Sequence, residues 1–151
     1  MKHQKLLCYG FMQPSDWTCA PAAARIILHN LGVNQDIKSI AREMKTNTGS
    51  YKGTTEHNMI KFFKKWDVKF HIKRNASIND MKERLKNGRI LMACYWIPFY
   101  KEFHVAIVSK ITSKRIHFHD TWFGSSHSYA LDYFKRQWAK DDNWLMTVKR
   151  N

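Results

Sequence analysis

The stretch QPSDWTCAPAAARIILHNLG, residues 13–32, decides how the chain folds. Its apolar side chains recur at the spacing of one helix face, at Ala23, Ile26, Ile27 and Leu31. Pro21 falls in the first turn, where a missing N–H costs little, and Gly32 follows the last apolar position, where helices often end. The pattern therefore predicts a helix from Ala20 to about Leu31.

Three further helices are predicted downstream from the same spacing and from capping residues. They cover about Gln35 to Lys45 behind an Asn34 cap, Thr55 to Trp66, and Ser77 to Asn87 before Gly88. A short strand is predicted between the last two helices, over residues 68–73.

After Gly88 the pattern changes to runs rich in β-branched and aromatic residues, which favour strands. These runs are RILMACYW at 89–96, FHVAIVSK at 103–110 and RIHFH at 115–119. A short amphipathic helix near 131–138 and a strand near 144–148 complete the chain. Helices that precede an antiparallel sheet predict an α+β fold, with the helices packed on one side of the sheet.

The composition indicates one globular domain, residues 1–151. A chain of 151 residues with 44% hydrophobic side chains can bury a core but is too short for two ordinary domains. It holds no apolar run near the ~18 residues that a membrane helix needs, and its start does not read as a secretory signal. Its three cysteines cannot all pair in disulfides, which fits a reducing compartment, so we expect a cytoplasmic protein.

The net charge of +14, from 26 basic and 12 acidic side chains, is a strong compositional bias. A chain this basic attracts phosphate backbones, acidic protein surfaces or anionic lipid, and charge alone does not choose among them. No zinc knuckle, RNP-like motif or arginine-rich run supports binding to nucleic acid. A well-solvated basic surface without a dedicated partner is an equal alternative.

Cys19 lies at the start of the first predicted helix and has the best setting for a reactive thiol among the three cysteines. The unpaired backbone N–H groups and the positive end of the helix dipole favour a thiolate there. Cys94 lies within the apolar run LMACYW, which is typical of a small core residue, and Cys8 is in an unassigned stretch. The alternative for Cys19 is a purely structural helix-start residue.

A thiolate nucleophile needs a histidine partner, and usually a third residue that orients the imidazole ring. His104 is the best candidate of the eight histidines, because a polar ring at the start of a buried strand is costly unless it has a partner. The alternative is a metal site formed by His117, His119 and His127 with Asp120. That group lacks the closely spaced ligands and cysteine pairs of a typical zinc site, so no metal is expected.

Several motifs fall in an order that is known from one enzyme family. Gln13 lies six residues before Cys19, which is followed by APAA and a helix. Gly53-Thr54 ahead of another helix, the strand FHVAIV at 103–108 and a strand that ends in Asp120 follow in sequence. Over nearly its whole length, the chain resembles papain-like cysteine peptidases of the bacteriocin-processing, double-glycine-leader type and their stand-alone relatives.

The resemblance implies a papain-like fold and a catalytic site without a cofactor. It makes Cys19 the nucleophile and His104 the general base and acid. It also makes Asp120 the residue that orients the histidine, and Gln13 the side-chain donor to the oxyanion. A glutamine six residues before the nucleophile can place its NH2 group beside the backbone N–H of Cys19, so that both donate to the developing charge. The alternatives are an exposed loop residue for Gln13 and a strand-end turn former for Asp120.

The sequence departs from the family's pattern at two positions. The family usually has glycine directly after the cysteine and proline after the aspartate, where this chain has Ala20 and Thr121. The methyl group of Ala20 can restrict the backbone or crowd the pocket for the acyl group. The resemblance supplies no substrate, because members that trim leader peptides are usually fused to a membrane exporter, and a leader peptidase role is thus unsupported.

The expected function is hydrolysis of an amide bond in a peptide or protein substrate, through an acyl-enzyme on Cys19. The positive charge fits an acidic substrate. The same machinery would serve a deamidase or an acyltransferase, and the sequence does not separate these reactions. Two further alternatives are an inactive relative kept for binding and a basic, toxin-like protein that binds or cleaves RNA. The latter would stack bases on some of the six Trp, six Tyr and nine Phe side chains.

Overall fold

The computed structural model describes residues 19–47, 53–120 and 123–150, which form five helices and a six-stranded sheet. The helices are α1 (Cys19–Asn30), α2 (Ile37–Glu43), α3 (Glu56–Lys65), α4 (Ile78–Lys86) and α5 (Leu131–Ala139). The strands are β1 (Phe70–Lys73), β2 (Ile90–Ile97), β3 (Glu102–Ile111), β4 (Arg115–Asp120), β5 (Gly124–Ala130) and β6 (Leu145–Val148). None of the five described helices is long and apolar enough to cross a lipid bilayer.

Side-chain caps explain where α3 and α4 begin. The Thr55 hydroxyl accepts the Asn58 N–H at 3.2 Å in front of α3. In front of α4, the side chains of Ser77 and Asp80 each accept the other residue's backbone N–H, at 3.0 and 2.9 Å. These bonds satisfy N–H groups that have no partner within the helix. Both helices therefore start within one residue of the predicted positions.

The predicted cap of α2 is wrong by two residues. Asp36, not Asn34, precedes the first turn, and its carboxylate accepts the Ser39 N–H at 2.9 Å and the Ser39 hydroxyl at 2.8 Å. A carboxylate also interacts favourably with the positive end of the helix dipole. The helix consequently begins at Ile37 and is shorter than its apolar spacing predicts.

The sheet has the strand order β1-β6-β2-β3-β4-β5, with antiparallel pairing throughout. In the hairpin β2–β3, Tyr95 lies opposite His104. The last strand, β6, inserts between β1 and β2 rather than extending the edge of the sheet. The strand β5 was missed in the sequence, because GSSHSYA has few of the β-branched and aromatic residues that favour strands.

Helices cover both faces of the sheet. Alternate residues of β2 supply two cores: Ile90 and Met92 pack with α1, α2 and α3, whereas Leu91 and Ala93 pack with α4 and α5. The predicted α+β class and the packing of N-terminal helices on the sheet are confirmed. The prediction of helices on one side only is wrong, because the apolar stripes of α4 and α5 also need burial and only the second face is open to them.

The helix α1 is buried along most of its length and packs against β3 and α2. Its buried residues are Ala20, Pro21, Ala22, Ala23, Ala24, Ile26, Ile27 and Leu28. Burial of each of the three large aliphatic side chains contributes roughly 1.5–3 kcal/mol. The short alanine side chains let the helix backbone approach the sheet closely. This packing fixes the N-terminus of α1, where Cys19 lies, relative to the strands.

Candidate active site

Cys19 is the first residue of α1, and its thiol is free and half-buried. The backbone N–H groups of the first helical turn have no carbonyl partner within the helix, and the positive end of the helix dipole lies beside them. Helix N-termini generally stabilise negatively charged groups. The sulfur is therefore held by a rigid element and remains open to a substrate.

His104 and Asp120 come from adjacent antiparallel strands and meet at one end of the sheet. His104 lies near the start of β3, and Asp120 is the last residue of β4. The His104 Nε2 atom lies 3.0 Å from Asp120 Oδ1 and 3.1 Å from Oδ2. The side chains are only 4% and 0% exposed, so water does not screen the interaction between them. The two residues form a buried ion pair when the imidazole is protonated.

Two further donors hold the Asp120 carboxylate. The Tyr95 hydroxyl donates to Oδ2 at 2.7 Å, and the backbone N–H of Phe123 donates to Oδ1 at 3.0 Å. Burial alone raises the pKa of Asp120, but the hydrogen bond and charge of His104, together with these two donors, lower it to about 2. The carboxylate is consequently ionised at neutral pH although it is fully buried.

The imidazole of His104 is also charged at neutral pH, because its partners outweigh the effect of burial. Burial alone lowers the pKa of His104, but hydrogen bonds to Asp120 and Cys19 and the charges of these two groups raise it to about 10. Because Nε2 faces the carboxylate, Nδ1 is the ring nitrogen left for the Cys19 sulfur. The site thus presents an imidazolium between a carboxylate and a thiol.

Aromatic side chains surround this pair. The ring of Phe123 approaches His104 edge-on, with 6.4 Å between centroids, and stacks on His127 at 4.6 Å. His127 in turn contacts Tyr129 edge-on at 4.5 Å. Burial lowers the pKa of His127, so this ring favours its neutral form. Phe123 is 40% exposed, so this ring reaches the protein surface beside the buried histidine.

The structure does not bring the alternative metal ligands together. No group of three His, Cys, Asp or Glu side chains suited to a metal ion exists among residues 19–47, 53–120 and 123–150. Side chains alternate along β4, which turns His117 and His119 away from the face that carries Asp120. His127 stacks on Phe123 instead.

The remaining predicted residues lie elsewhere or outside the described part of the chain. Gln13, Cys8 and Thr121 are outside it. Cys94 lies on β2, half-buried, and burial raises the pKa of its thiol well above the usual range. It is therefore a poor nucleophile compared with a cysteine beside an imidazolium.

Sequence analysis missed Tyr95 and Phe123. Tyr95 stands in the apolar run of β2 and looks like an ordinary core residue, so only its register opposite His104 reveals a role near the site. Phe123 contributes a backbone N–H, which no side-chain pattern can indicate. The sequence contains one indication of a role for Tyr95. A tyrosine within a buried strand carries a hydroxyl that usually has a hydrogen-bond partner.

A helix-terminal cysteine packed against a histidine on an antiparallel sheet is the arrangement of papain-like cysteine peptidases. The structural comparisons agree with this class. A candidate C39-like peptidase from Bacillus anthracis superposes with a TM-score of 0.76 at 13% identity, over 99% of each chain. The peptidase domain of Streptococcus ComA, a bifunctional ABC transporter of a quorum-sensing pathway, gives 0.72 at 17% identity, over 93% of this chain and 96% of the other.

A third structure is a double-glycine-motif protease from an AMS/PCAT transporter, in complex with the leader peptide. It gives a TM-score of 0.67 at 14% identity, over 93% of this chain and 89% of the other. No match was found among curated protein sequences. The chain belongs to the Peptidase_C39 like family, whose model matches residues 7–150. It is accordingly a hydrolase of the cysteine peptidase type, and the predicted fold and family are confirmed.

Proposed function

We propose that the protein cleaves peptides with Cys19 as the nucleophile, His104 as the general base and acid, and Asp120 as the residue that orients the imidazole. The observation that supports this assignment is the buried His104–Asp120 pair beside Cys19. Burial alone favours a neutral imidazole, yet the surrounding groups keep it charged. Perturbation of this kind by specific partners is typical of catalytic sites.

In the first half of the reaction, the Cys19 thiolate attacks the carbonyl carbon of the scissile amide. A C–S bond forms while the carbonyl π electrons move onto oxygen. The oxyanion then re-forms the carbonyl as the C–N bond breaks, and the His104 imidazolium gives its Nδ1 proton to the leaving amine. A thioester remains on Cys19. Asp120 stays ionised throughout and holds the ring through Nε2.

In the second half, the neutral His104 takes a proton from water, and the resulting hydroxide attacks the thioester. The C–S bond breaks and the acid product leaves. The thiolate–imidazolium pair is thereby restored. On the family resemblance, we assign two hydrogen-bond donors to the oxyanion. They are the backbone N–H of Cys19 and the side chain of Gln13. Two such donors stabilise charge that is absent from the ground state, which accelerates the reaction itself.

The proposed substrate is an extended peptide segment with acidic residues. Among the similar structures, one is a protease bound to a leader peptide, which supports a peptide as the substrate class. The net charge of +14 favours acidic sequences, because it raises their local concentration near the surface.

The test is an assay with a synthetic peptide library in which double-glycine sequences are flanked by acidic, neutral or basic residues. Mass spectrometry identifies the products for the wild type and for Cys19→Ala. Cys94→Ala is the matched control, since it removes the other described cysteine and leaves Cys19, His104 and Asp120 in the sequence. We expect cleavage by the wild type and Cys94→Ala, none by Cys19→Ala, and faster cleavage of acidic peptides at low salt.

Other products would overturn the proposal in recognisable ways. Intact peptides with a side-chain amide converted to a carboxylate would indicate a deamidase, and peptides joined to an added amine would indicate an acyltransferase. Cleavage that persists in Cys19→Ala would exclude this cysteine as the nucleophile. Salt-sensitive cleavage of RNA that ignores Cys19, without any peptidase activity, would favour the RNA-cleaving alternative.

A further inference from the structure

The hydroxyl of Tyr95 makes a buried hydrogen bond that the peptidase chemistry above does not use. It donates to Asp120 Oδ2 at 2.7 Å, and the tyrosine is only 1% exposed. A bond from a neutral donor to a buried carboxylate is stronger than an ordinary hydrogen bond, because water competes for neither group. Its position next to the His104–Asp120 contact suggests an effect on that contact.

The geometry shows what the bond controls. The terminal torsion of an aspartate is broad, so a carboxylate can rotate unless both of its oxygens are held. Here the Phe123 N–H holds Oδ1, and the Tyr95 hydroxyl holds Oδ2. With both oxygens fixed, the carboxylate plane faces Nε2 of His104 almost symmetrically, at 3.0 and 3.1 Å. Loss of the Tyr95 donor would remove one of the contacts that hold Oδ2 in this orientation.

The donor itself is rigid. The Tyr95 ring contacts Phe118, Tyr129 and Phe134, with centroid separations of 5.4, 5.6 and 5.7 Å. Its edge-on contact with His104, at 5.7 Å and 82°, links the same ring directly to the imidazole. Burial and the nearby Asp120 charge raise the pKa of Tyr95 well above its usual range, so the hydroxyl keeps the proton that it donates.

We propose that Tyr95 is a positioning residue, which fixes the Asp120 carboxylate so that His104 remains a charged partner for Cys19. This inference rests on the proposed function, because it concerns the same nucleophile and histidine. Tyr95 touches neither the substrate nor the reacting atoms in this scheme. Its effect on Cys19 passes through Asp120 and His104.

The test uses alkylation of Cys19 by iodoacetamide, which needs no substrate, measured from pH 4 to pH 9 by mass spectrometry of the labelled peptide. We compare the wild type with Tyr95→Phe, which removes one oxygen and keeps the ring. The expected result is a rise of about one pH unit in the midpoint of the alkylation profile, and about tenfold slower labelling at pH values well below that midpoint. Tyr133→Phe is the control, since Tyr133 contacts Tyr129 at a tilted angle, one ring further from the carboxylate, and should keep the wild-type profile.

A second comparison separates positioning from a general loss of packing. If Tyr95 acts through Asp120, Tyr95→Phe should have no further effect on the profile in an Asp120→Ala background. An equal shift in both backgrounds would show that Tyr95 only supports the fold and would overturn the inference. An unchanged profile in Tyr95→Phe would overturn it as well, while leaving the proposed nucleophile intact. Slow wild-type labelling of Cys19, no faster than that of Cys94, would instead contradict the proposed function.

Discussion

Replacement of Asp120 by asparagine tests the charge of the carboxylate while keeping its shape. In the structure, Oδ1 accepts the Phe123 N–H and Oδ2 accepts the Tyr95 hydroxyl. A backbone N–H cannot reverse its direction, whereas a hydroxyl can rotate and accept. The amide oxygen of Asp120→Asn should therefore replace Oδ1, and its NH2 group should replace Oδ2 and donate to Tyr95. The oxygen still accepts from His104, but the negative charge is lost.

The cost follows from the electrostatics of the pair. The pKa of Asp120 falls from 3.8 to about 2 in the folded protein, a shift of just under two units. At ~1.4 kcal/mol per unit, the shift corresponds to about 2 to 3 kcal/mol in favour of the carboxylate after the cost of burial, and His104 makes the largest favourable contribution. Asp120→Asn should thus lower kcat/KM by roughly 30- to 100-fold. Asp120→Ala also leaves Nε2 of His104 without this acceptor and should lower kcat/KM by about 10³-fold.

The assay is kcat/KM on the best peptide from the library at pH 7, with the thermal midpoint of each variant measured in parallel. The ratio between the two variants is the informative quantity, because it separates the charge from the orienting hydrogen bond. Wild-type activity in Asp120→Asn would refute the electrostatic reasoning. Equal losses in Asp120→Asn and Asp120→Ala would show that the retained oxygen does not orient His104.

Three other predictions follow from the same site. Thermal stability should be highest between about pH 4 and 6.5, because stabilisation by His104 is lost as pH rises from 6.5 towards 10, and stabilisation by Asp120 is lost as pH falls from 3.8 towards 2. A melting midpoint that stays constant across both windows would contradict this. Limited iodoacetamide labelling at pH 6 should modify Cys19 far faster than Cys94, and equal labelling by peptide mapping would be inconsistent with an activated thiol. Gln13→Ala should lower kcat about 10²- to 10³-fold while Cys19 alkylation stays normal, and a parallel loss of alkylation would exclude a role confined to the oxyanion.

The helices were largely predictable because their signals are local. Apolar spacing and a capping hydroxyl occur together at Thr55 and at Ser77, and both helices start at the next residue. For α2 the sequence pattern predicted Asn34 as the cap, whereas the structure uses Asp36, whose carboxylate also interacts with the helix dipole. The strand β5 gave no such signal, because its pairing with β4 depends on a neighbour rather than on its own composition.

The site was predictable only in part. Family resemblance suggested Cys19, His104 and Asp120, and the structure places His104 and Asp120 in direct contact. The contacts that surround these residues could not be predicted from the sequence. Whether Tyr95 points to the carboxylate or into the opposite core depends on the register of β2 against β3, and a shift by one residue would reverse it.

The position of β6 between β1 and β2 makes completion of the fold depend on residues that follow most of the domain in sequence. In the described part of the chain, β1 pairs only with β6, so residues 70–73 join the sheet through residues 145–148. Met146 and Val148 also contribute to the core under α1, α2 and α3. Contacts between segments this distant in sequence form slowly, because the intervening chain must be ordered first. A nascent polypeptide therefore completes the core beneath α1 only after the ribosome has made residues 145–148.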